Sequence, residues 1–251
     1  MRTHRGLIRA PLTIACFAAG VVGVAWAQGE GRAPSLASEI NKPFANPDVK
    51  EFVSRFKSDN REVFSQRSAI VRALGLRSGM AVADIGAGTG LFTRLIASEV
   101  GPQGKVFAVD VSAAFLRHIE EQSKKLGQSQ VRVVRGSQES TRLAAGSIEM
   151  AFFCDVYHHL EDPAKALASV RRALKPGGTL VVVEFDRVKG KSTEFVLKHV
   201  RADKKIFVEE IKAAGFELLP SGVTPVLKEN FFLRFRRTDD PLPKATGPVG
   251  G

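Results

Sequence analysis

Cysteine is nearly absent from this chain: Cys16 and Cys154 are the two among 251 residues. Two thiols allow at most one intrachain disulfide, and no Cys/His cluster has metal-ligand spacing, which disfavours a zinc centre. His158 and His159 are adjacent in a loop, a poor arrangement for clamping an ion, and no metal is expected. Tyr and Trp occur once each. Nucleic-acid recognition would want aromatics interleaved with the net charge of +11 for stacking, and with so little Tyr and Trp nucleic acid is not an expected partner. The apolar run from Leu12 to Ala27 has 16 residues interrupted by small ones, short of the roughly 20 that a spanning helix needs.

That run has its own meaning. Arg2, Arg5 and Arg9 precede it and Ala25-Trp26-Ala27 closes it. A basic start, a short apolar centre and an A-x-A site describe a secretory signal peptide over residues 1–27, with cleavage expected after Ala27 and a periplasmic or secreted product. The alternative is a membrane anchor formed by an uncleaved signal. Cleavage would leave Cys154 alone, without a disulfide partner. Residues 28–47, rich in Gly, Pro, Ser and Ala, read as a flexible lead. Asp48 to Leu76 then shows helical spacing, with Val49, Phe52, Val53 and Phe56 on one face. The Pro/Gly-rich stretch 238–251 reads as a disordered tail.

The densest signal is Val82-Ala83-Asp84-Ile85-Gly86-Ala87-Gly88-Thr89-Gly90, an apolar strand running into three alternate glycines and then into the helical segment Leu91 to Ser98. Glycine at every second position lets the backbone turn sharply and touch a ligand. A dinucleotide loop wants G-x-G-x-x-G or A, and here the last position is Leu91. The spacing suits adenosine without phosphates, as in S-adenosylmethionine. The next strand, Lys105 to Asp110, ends in an acid where a Rossmann-like unit places a carboxylate on ribose hydroxyls, about 20 residues beyond the loop.

Alternation continues: helix Ser112 to Leu126, strand Gln130 to Arg135, a short helical stretch near Gln138 to Leu143, strand Glu149 to Cys154, helix Asp162 to Leu174 and strand Thr179 to Phe185. This is the pattern of a doubly wound α/β sheet, whose ligands bind beyond the carboxyl ends of the strands. After a basic connector, Arg187 to Lys205, come helix Asp203 to Ala214 and strands Phe216 to Leu219 and Asn230 to Arg237, read as an antiparallel pair.

Asp84 to Gly90, Val109-Asp110, Asp155 to Pro163 and Leu174-Lys175-Pro176-Gly177-Gly178 together resemble a class I S-adenosylmethionine-dependent methyltransferase of the type 11 or ubiquinone/menaquinone methyltransferase-like set. The resemblance spans roughly Asn60 to Arg237 and makes 48–237 the methyltransferase domain. It implies a seven-stranded Rossmann-like sheet whose last strand inserts antiparallel beside the sixth. It also implies S-adenosylmethionine as cofactor, Asp84 near its methionine part, Gly86, Ala87, Gly88 and Gly90 as the loop, Asp110 on the ribose and Val111 on the adenine. Relatives often carry an acid for the adenine amino group where this chain has Ser137 and Gln138. Asp155 belongs to the same binding set. Helices preceding the first strand often lie over the cofactor, which makes Phe64, Gln66 and Arg67 lid candidates.

Substrate-facing groups usually follow the fourth strand, so Tyr157, His158 and His159 are the candidate catalytic residues, an imidazole being suited to take a proton near neutral pH. Tyr157 or His158 should point into the cleft more readily than His159, whose neighbour Leu160 looks core-facing. Glu184 and Asp186 are candidates to reach the substrate, and His199 is the outside candidate for a lid contact. The expected activity is methyl transfer to a small-molecule or lipid-like acceptor, with a membrane surface compatible with the positive charge. An exported binding module of the same fold, without methyl transfer, is the alternative.

Overall fold

The computed structural model describes residues 36–220, 222 and 224–238. The expected signal peptide, the start of the lead and the tail beyond Thr238 lie outside the described residues.

Leu36–Ala45 forms helix α1, inside the stretch expected as a flexible lead. Tertiary contact orders it. Its Asn41 Nδ2 donates to the His159 carbonyl (3.0 Å) and to Glu161 Oε1 (2.9 Å). The helical region before the first strand divides into α2 (Val49–Phe56), α3 (Glu62–Ser65) and α4 (Arg67–Leu74). The Asp48 carboxylate caps α2 by accepting from the amides of Lys50 and Glu51, and Gly75 ends α4 in the left-handed region at φ 65°.

Seven strands follow in one sheet, with helices between all but the β3–β4 and β6–β7 pairs: β1 (Ala81–Ile85), α5 (Leu91–Val100), β2 (Lys105–Asp110), α6 (Ala113–Lys125), β3 (Val131–Arg135), β4 (Ile148–Cys154), α7 (Pro163–Ala173), β5 (Leu174–Phe185), α8 (Glu194–His199), α9 (Lys204–Ala213), β6 (Phe216–Leu218) and β7 (Asn230–Arg237). Their order is β3-β2-β1-β4-β5-β7-β6. β1 to β5 pair in parallel, whereas β7 runs antiparallel to both β5 and β6. This is the expected sheet, with the last strand inserted beside the sixth.

Alternate residues of the central strands divide between two apolar layers. Val82, Met150, Phe152, Val181 and Val183 join Ile70, Leu74, Phe92 and Ile96 on one face. Ala83, Ile85, Ala151, Phe153, Leu180 and Val182 join Leu167, Val170, Phe207 and Ile211 on the other. Strands buried on both faces read as continuous apolar runs, and β1 is buried at all five positions.

Two local expectations fail. No helix forms between Gln138 and Leu143. Ser169 Oγ lies 3.0 Å from the Thr141 amide and 3.1 Å from Thr141 Oγ1, Ser140 Oγ takes the Arg142 amide, and Arg142 sits at φ 56°. Hydroxyls that satisfy the backbone locally compete with a helical ladder. β5 also begins earlier than Thr179, because Leu174 already pairs with Ile148 before the register shifts between Ile148 and Met150.

Candidate active site

The strand order reverses between β1 and β4, and the loops leaving those strands open onto one cavity of about 980 Å³. β1 carries the chain into the glycine loop, which β2 then holds: the amides of Gly86 and Ala87 both donate to the Val109 carbonyl, at 2.7 and 3.1 Å. Gly86, Gly88 and Gly90 have φ of 69°, 54° and 72°, a region that disfavours L side chains. A Cβ on Gly86 would lie 2.4 Å from Val156, so β4's own loop presses on the glycine. Gly86, Ala87 and Gly88 line the cavity.

Gly90 departs from the expected role. It is not among the cavity-lining residues, and a Cβ there would meet Ile119 of α6 at 2.7 Å. Its bareness serves close packing between the loop and a helix. That is the service the final small residue of a dinucleotide loop performs, moved one position forward.

Three buried acids border the cavity. Asp84 accepts the Thr93 hydroxyl at 2.6 Å, and burial above all pushes its pKa up to about 6. Asp110 accepts the Gly88 amide on one oxygen and the Ser112 amide on the other, each at 2.8 Å. It therefore ties the loop to the start of α6, and burial raises its pKa as well. Each carboxylate oxygen keeps a second lone pair for ribose hydroxyls. A cradle that Cβ atoms would fill, beside an acid with spare acceptor capacity, fits the nucleoside of S-adenosylmethionine. Val111, exposed, and Ser137 and Gln138 after β3 line the same region.

Asp155, expected in the cofactor-binding set, lies in the cavity wall and has a structural part as well. It adopts φ 51°, a conformation asparagine and aspartate tolerate better than most residues. Its carboxylate accepts Arg61 Nη2 and Asn230 Nδ2, both at 2.7 Å. Burial pushes its pKa up to about 6, with the Arg61 charge acting in the opposite direction. Asp155 thus clasps the segment after α2 to the start of β7, while remaining in the cavity wall.

Of the catalytic candidates, Tyr157 does not face the cleft. The 3-10 turn Tyr157–His159 sends it inward, where its hydroxyl donates to Glu210 Oε2 at 3.0 Å and its ring packs on Phe153 and Phe207. Burial and the Glu210 charge push its pKa above the ordinary phenol range. His158 and His159 both line the cavity, His158 buried and His159 half-buried, so His159 reaches the cleft as His158 does. His158 Nδ1 stands 2.9 Å from Glu184 Oε1, at ion-pair distance but off the line of a straight hydrogen bond, so both ring nitrogens lack a hydrogen-bond partner. His159 Nδ1 lies 2.8 Å from Asn41 Oδ1. Burial, then the neighbouring His158 and His199, push the His159 pKa down to about 2, and burial chiefly lowers His199 to about 4. Both rings are neutral at pH 7.

Glu184 is buried behind His158, and neither it nor Asp186 lines the cavity. His199 of α8, the outside candidate for a lid contact, does line it. The lid candidates Phe64, Gln66 and Arg67 do not. Arg67 instead donates to the Phe64 carbonyl and lies over the Phe64 ring. The cover is formed one turn earlier, by Phe56, Asn60, Arg61 and Glu62. Arg61 lies 4.4 Å over the Phe56 ring, and the Glu62 carboxylate takes the amides of Lys228, Glu229 and Asn230 at 2.5 to 2.9 Å. Neither Arg61 nor Asn230 carries a motif in sequence; only the polar interruption Ser58–Arg61 between apolar helical faces marks the place.

Residues 83–182 match a family model described as a methyltransferase domain. The ubiquinone/menaquinone biosynthesis C-methyltransferase UbiE of Pasteurella multocida is 34% identical over 114 residues, 45% of this chain and 42% of that protein. The chain thus matches less than half the length of this curated relative. Among solved structures, a SAM-dependent methyltransferase from Aquifex aeolicus has a TM-score of 0.66 at 22% identity, covering 76% of this chain and 98% of its own. A Haemonchus contortus phosphoethanolamine N-methyltransferase 2, in complex with phosphomonomethylethanolamine and S-adenosylhomocysteine, has a TM-score of 0.58 at 22% identity, covering 72% of this chain and 44% of its own. Sheet order and comparisons agree on the fold: residues 83–182 match a methyltransferase-domain family, and the described chain has the class I S-adenosylmethionine-dependent methyltransferase fold.

Proposed function

We propose that the chain is an S-adenosylmethionine-dependent methyltransferase acting on a small apolar or lipid-like acceptor. The observation that carries this reading is the division of one cavity. Its β1 and β2 side offers the glycine loop and Asp110, whereas Phe44, Phe185 and Phe195 contribute aromatic surface to the wall around the histidines. When bound, the cofactor supplies an activated methyl group on a sulfonium. The protein's task is to hold that group in line with an acceptor and to exclude water, so positioning supplies most of the rate. Gly86 to Gly88 and Asp110 fix the nucleoside, and the Arg61 and Glu62 clasps hold the cover closed over it. Where an acceptor must lose a proton, His158 is the placed base, with Glu184 beside Nδ1 and Nε2 left for exchange.

Titration calorimetry with S-adenosylmethionine and S-adenosylhomocysteine, followed by transfer of a labelled methyl group to a panel of phenols, quinols and lipids, tests this. Binding abolished by Asp110→Ala with Gly88→Val, together with labelled product, supports the reading. Absence of heat with either ligand overturns it. Binding without transfer to any acceptor favours the non-catalytic binding module. We propose further that the product is periplasmic or secreted after cleavage behind Ala27, on the strength of the basic and apolar start and its A-x-A site. Fractionation with N-terminal sequencing should find Gln28 first; an intact Met1 in the cytosol refutes export, and an intact Met1 in the membrane fraction points to an anchor.

A further inference from the structure

The fold supplies what adjacent histidines alone could not, a third imidazole from a distant element. One ring nitrogen each of His158, His159 and His199 lies within 4.8 Å of the other two. The first two come from the turn after β4 and the third from the end of α8, 40 residues on. From these residues we infer a binding site for a late first-row divalent transition metal of the Zn²⁺ type, held by three imidazoles, with its remaining coordination position open to the acceptor side of the cavity.

Several features support it. Ring nitrogens in buried positions normally find partners, yet Nε2 of His158 has none although the side chain is 1% exposed. The polar groups behind the rings match what metal-bound histidines use to set tautomer and orientation: Glu184 Oε1 stands 2.9 Å from His158 Nδ1, and Asn41 Oδ1 stands 2.8 Å from His159 Nδ1. Nε2 is then the nitrogen each of these rings has to give. Three neutral nitrogen donors favour zinc, copper, nickel or cobalt over magnesium or calcium, which prefer oxygen. Three protein ligands and one vacant position are also the pattern of a working rather than a purely structural zinc site.

Ligand nitrogens around a tetrahedral ion at roughly 2.1 Å stand about 3.4 Å apart, so the rings must close by about 1.4 Å at most. His199 can supply that movement, since it is half-buried on a six-residue helix. Stacking of His199 on Phe195 and of His159 edge-on to Phe44 keeps the rings near the required positions. The three histidines line the same cavity as Phe185 and Phe195, so an ion held there would have water or a heteroatom of the acceptor available as its further ligand. A bound metal also withdraws His158 from proton transfer, so metal content separates the two roles.

The inference stands apart from the methyl-transfer reading and is tested without it. Full-length protein without affinity histidines is titrated with Zn²⁺ by calorimetry and with Co²⁺ by ligand-field absorption. One equivalent bound, with a tetrahedral Co²⁺ spectrum, is the expected result. His199→Ala should weaken binding at least tenfold, Asn41→Ala by about 10- to 100-fold, and His118→Ala, on α6 outside the cluster, by less than twofold. Circular dichroism and S-adenosylhomocysteine affinity, measured on each variant, identify any that has merely misfolded. No stoichiometric binding by the unsubstituted protein overturns the site, as does binding that a folded His199→Ala variant retains. Metal binding without cofactor binding overturns the methyltransferase reading and leaves the metal site standing.

Discussion

At the residue scale, the glycine loop separates two reasons for being glycine. Gly79 has φ 84° and open space around its missing Cβ, whereas Gly86 adds a clash with Val156 to a φ of 69°. Gly79→Ala should therefore lower stability by about 1 to 2 kcal/mol, the cost of a left-handed conformation for an L residue. Gly86→Ala should cost clearly more and weaken S-adenosylhomocysteine binding, as paired urea denaturation and calorimetry would show. Equal costs would mean that Val156 yields freely. Asp84 offers a second test. Its pKa is raised from 3.8 to about 6, so the folded state binds more protons than the unfolded state across that interval. The contribution of Asp84 to stability is full below about pH 4 and is lost as pH rises through about 6, a change on the order of 3 kcal/mol. Asp84→Asn removes it. The stability difference between the unsubstituted protein and this variant should fall between pH 4 and pH 6, and a difference flat with pH would refute the burial argument. Sequence located Asp84, Asp110 and the loop because they stand in a motif. It misjudged Gly90 and Tyr157, whose roles depend on Ile119 and Glu210, partners 29 and 53 residues away.

At the element scale, the cover between α2 and α4 is fastened by polar clasps. Glu62 takes three consecutive backbone amides leading into β7, and Asp155 joins Arg61 to Asn230. Glu62→Ala should free residues 48–66, raising their amide hydrogen exchange at least tenfold and weakening cofactor binding, while protection in β1 and β4 persists. Unchanged exchange would show that apolar packing of Phe52 and Phe56 suffices. Strands were legible in sequence because burial on both faces writes continuous apolar runs, as in Val181 to Val183. Gln138 to Leu143 was not, since its conformation follows from Ser169 on a helix that periodicity treats as separate. Helix α1 was hidden for a similar reason: its order comes from docking Asn41 and Phe44 on the histidine turn.

At the scale of the whole molecule, the cavity joins elements from α1 to the start of β7, so occupancy should act on global stability. A ligand that binds only the folded state at 100 times its Kd adds about 2.7 kcal/mol. S-adenosylhomocysteine should raise the melting temperature accordingly, and Asp110→Ala should abolish the shift. A shift that survives this substitution would place the ligand elsewhere. The parallel core and its switch point could be read from the alternation of elements, and with them the cofactor side. The acceptor side could not, because its wall is assembled from the turn after β4, α8 and a helix preceding the entire sheet.

β7 lies between β5 and β6, although it comes last among the strands. During translation, five strands can assemble while the outer rim of β5 still waits for residues 230–237. Until the ribosome releases them, Val181 to Val183 present unsatisfied amides and carbonyls beside an apolar surface, an invitation to pair with another nascent chain. Polysomes crowded with this message would therefore depend on holding chaperones, and a nonsense codon just before Asn230 should yield inclusion bodies in place of a soluble, slightly shorter product.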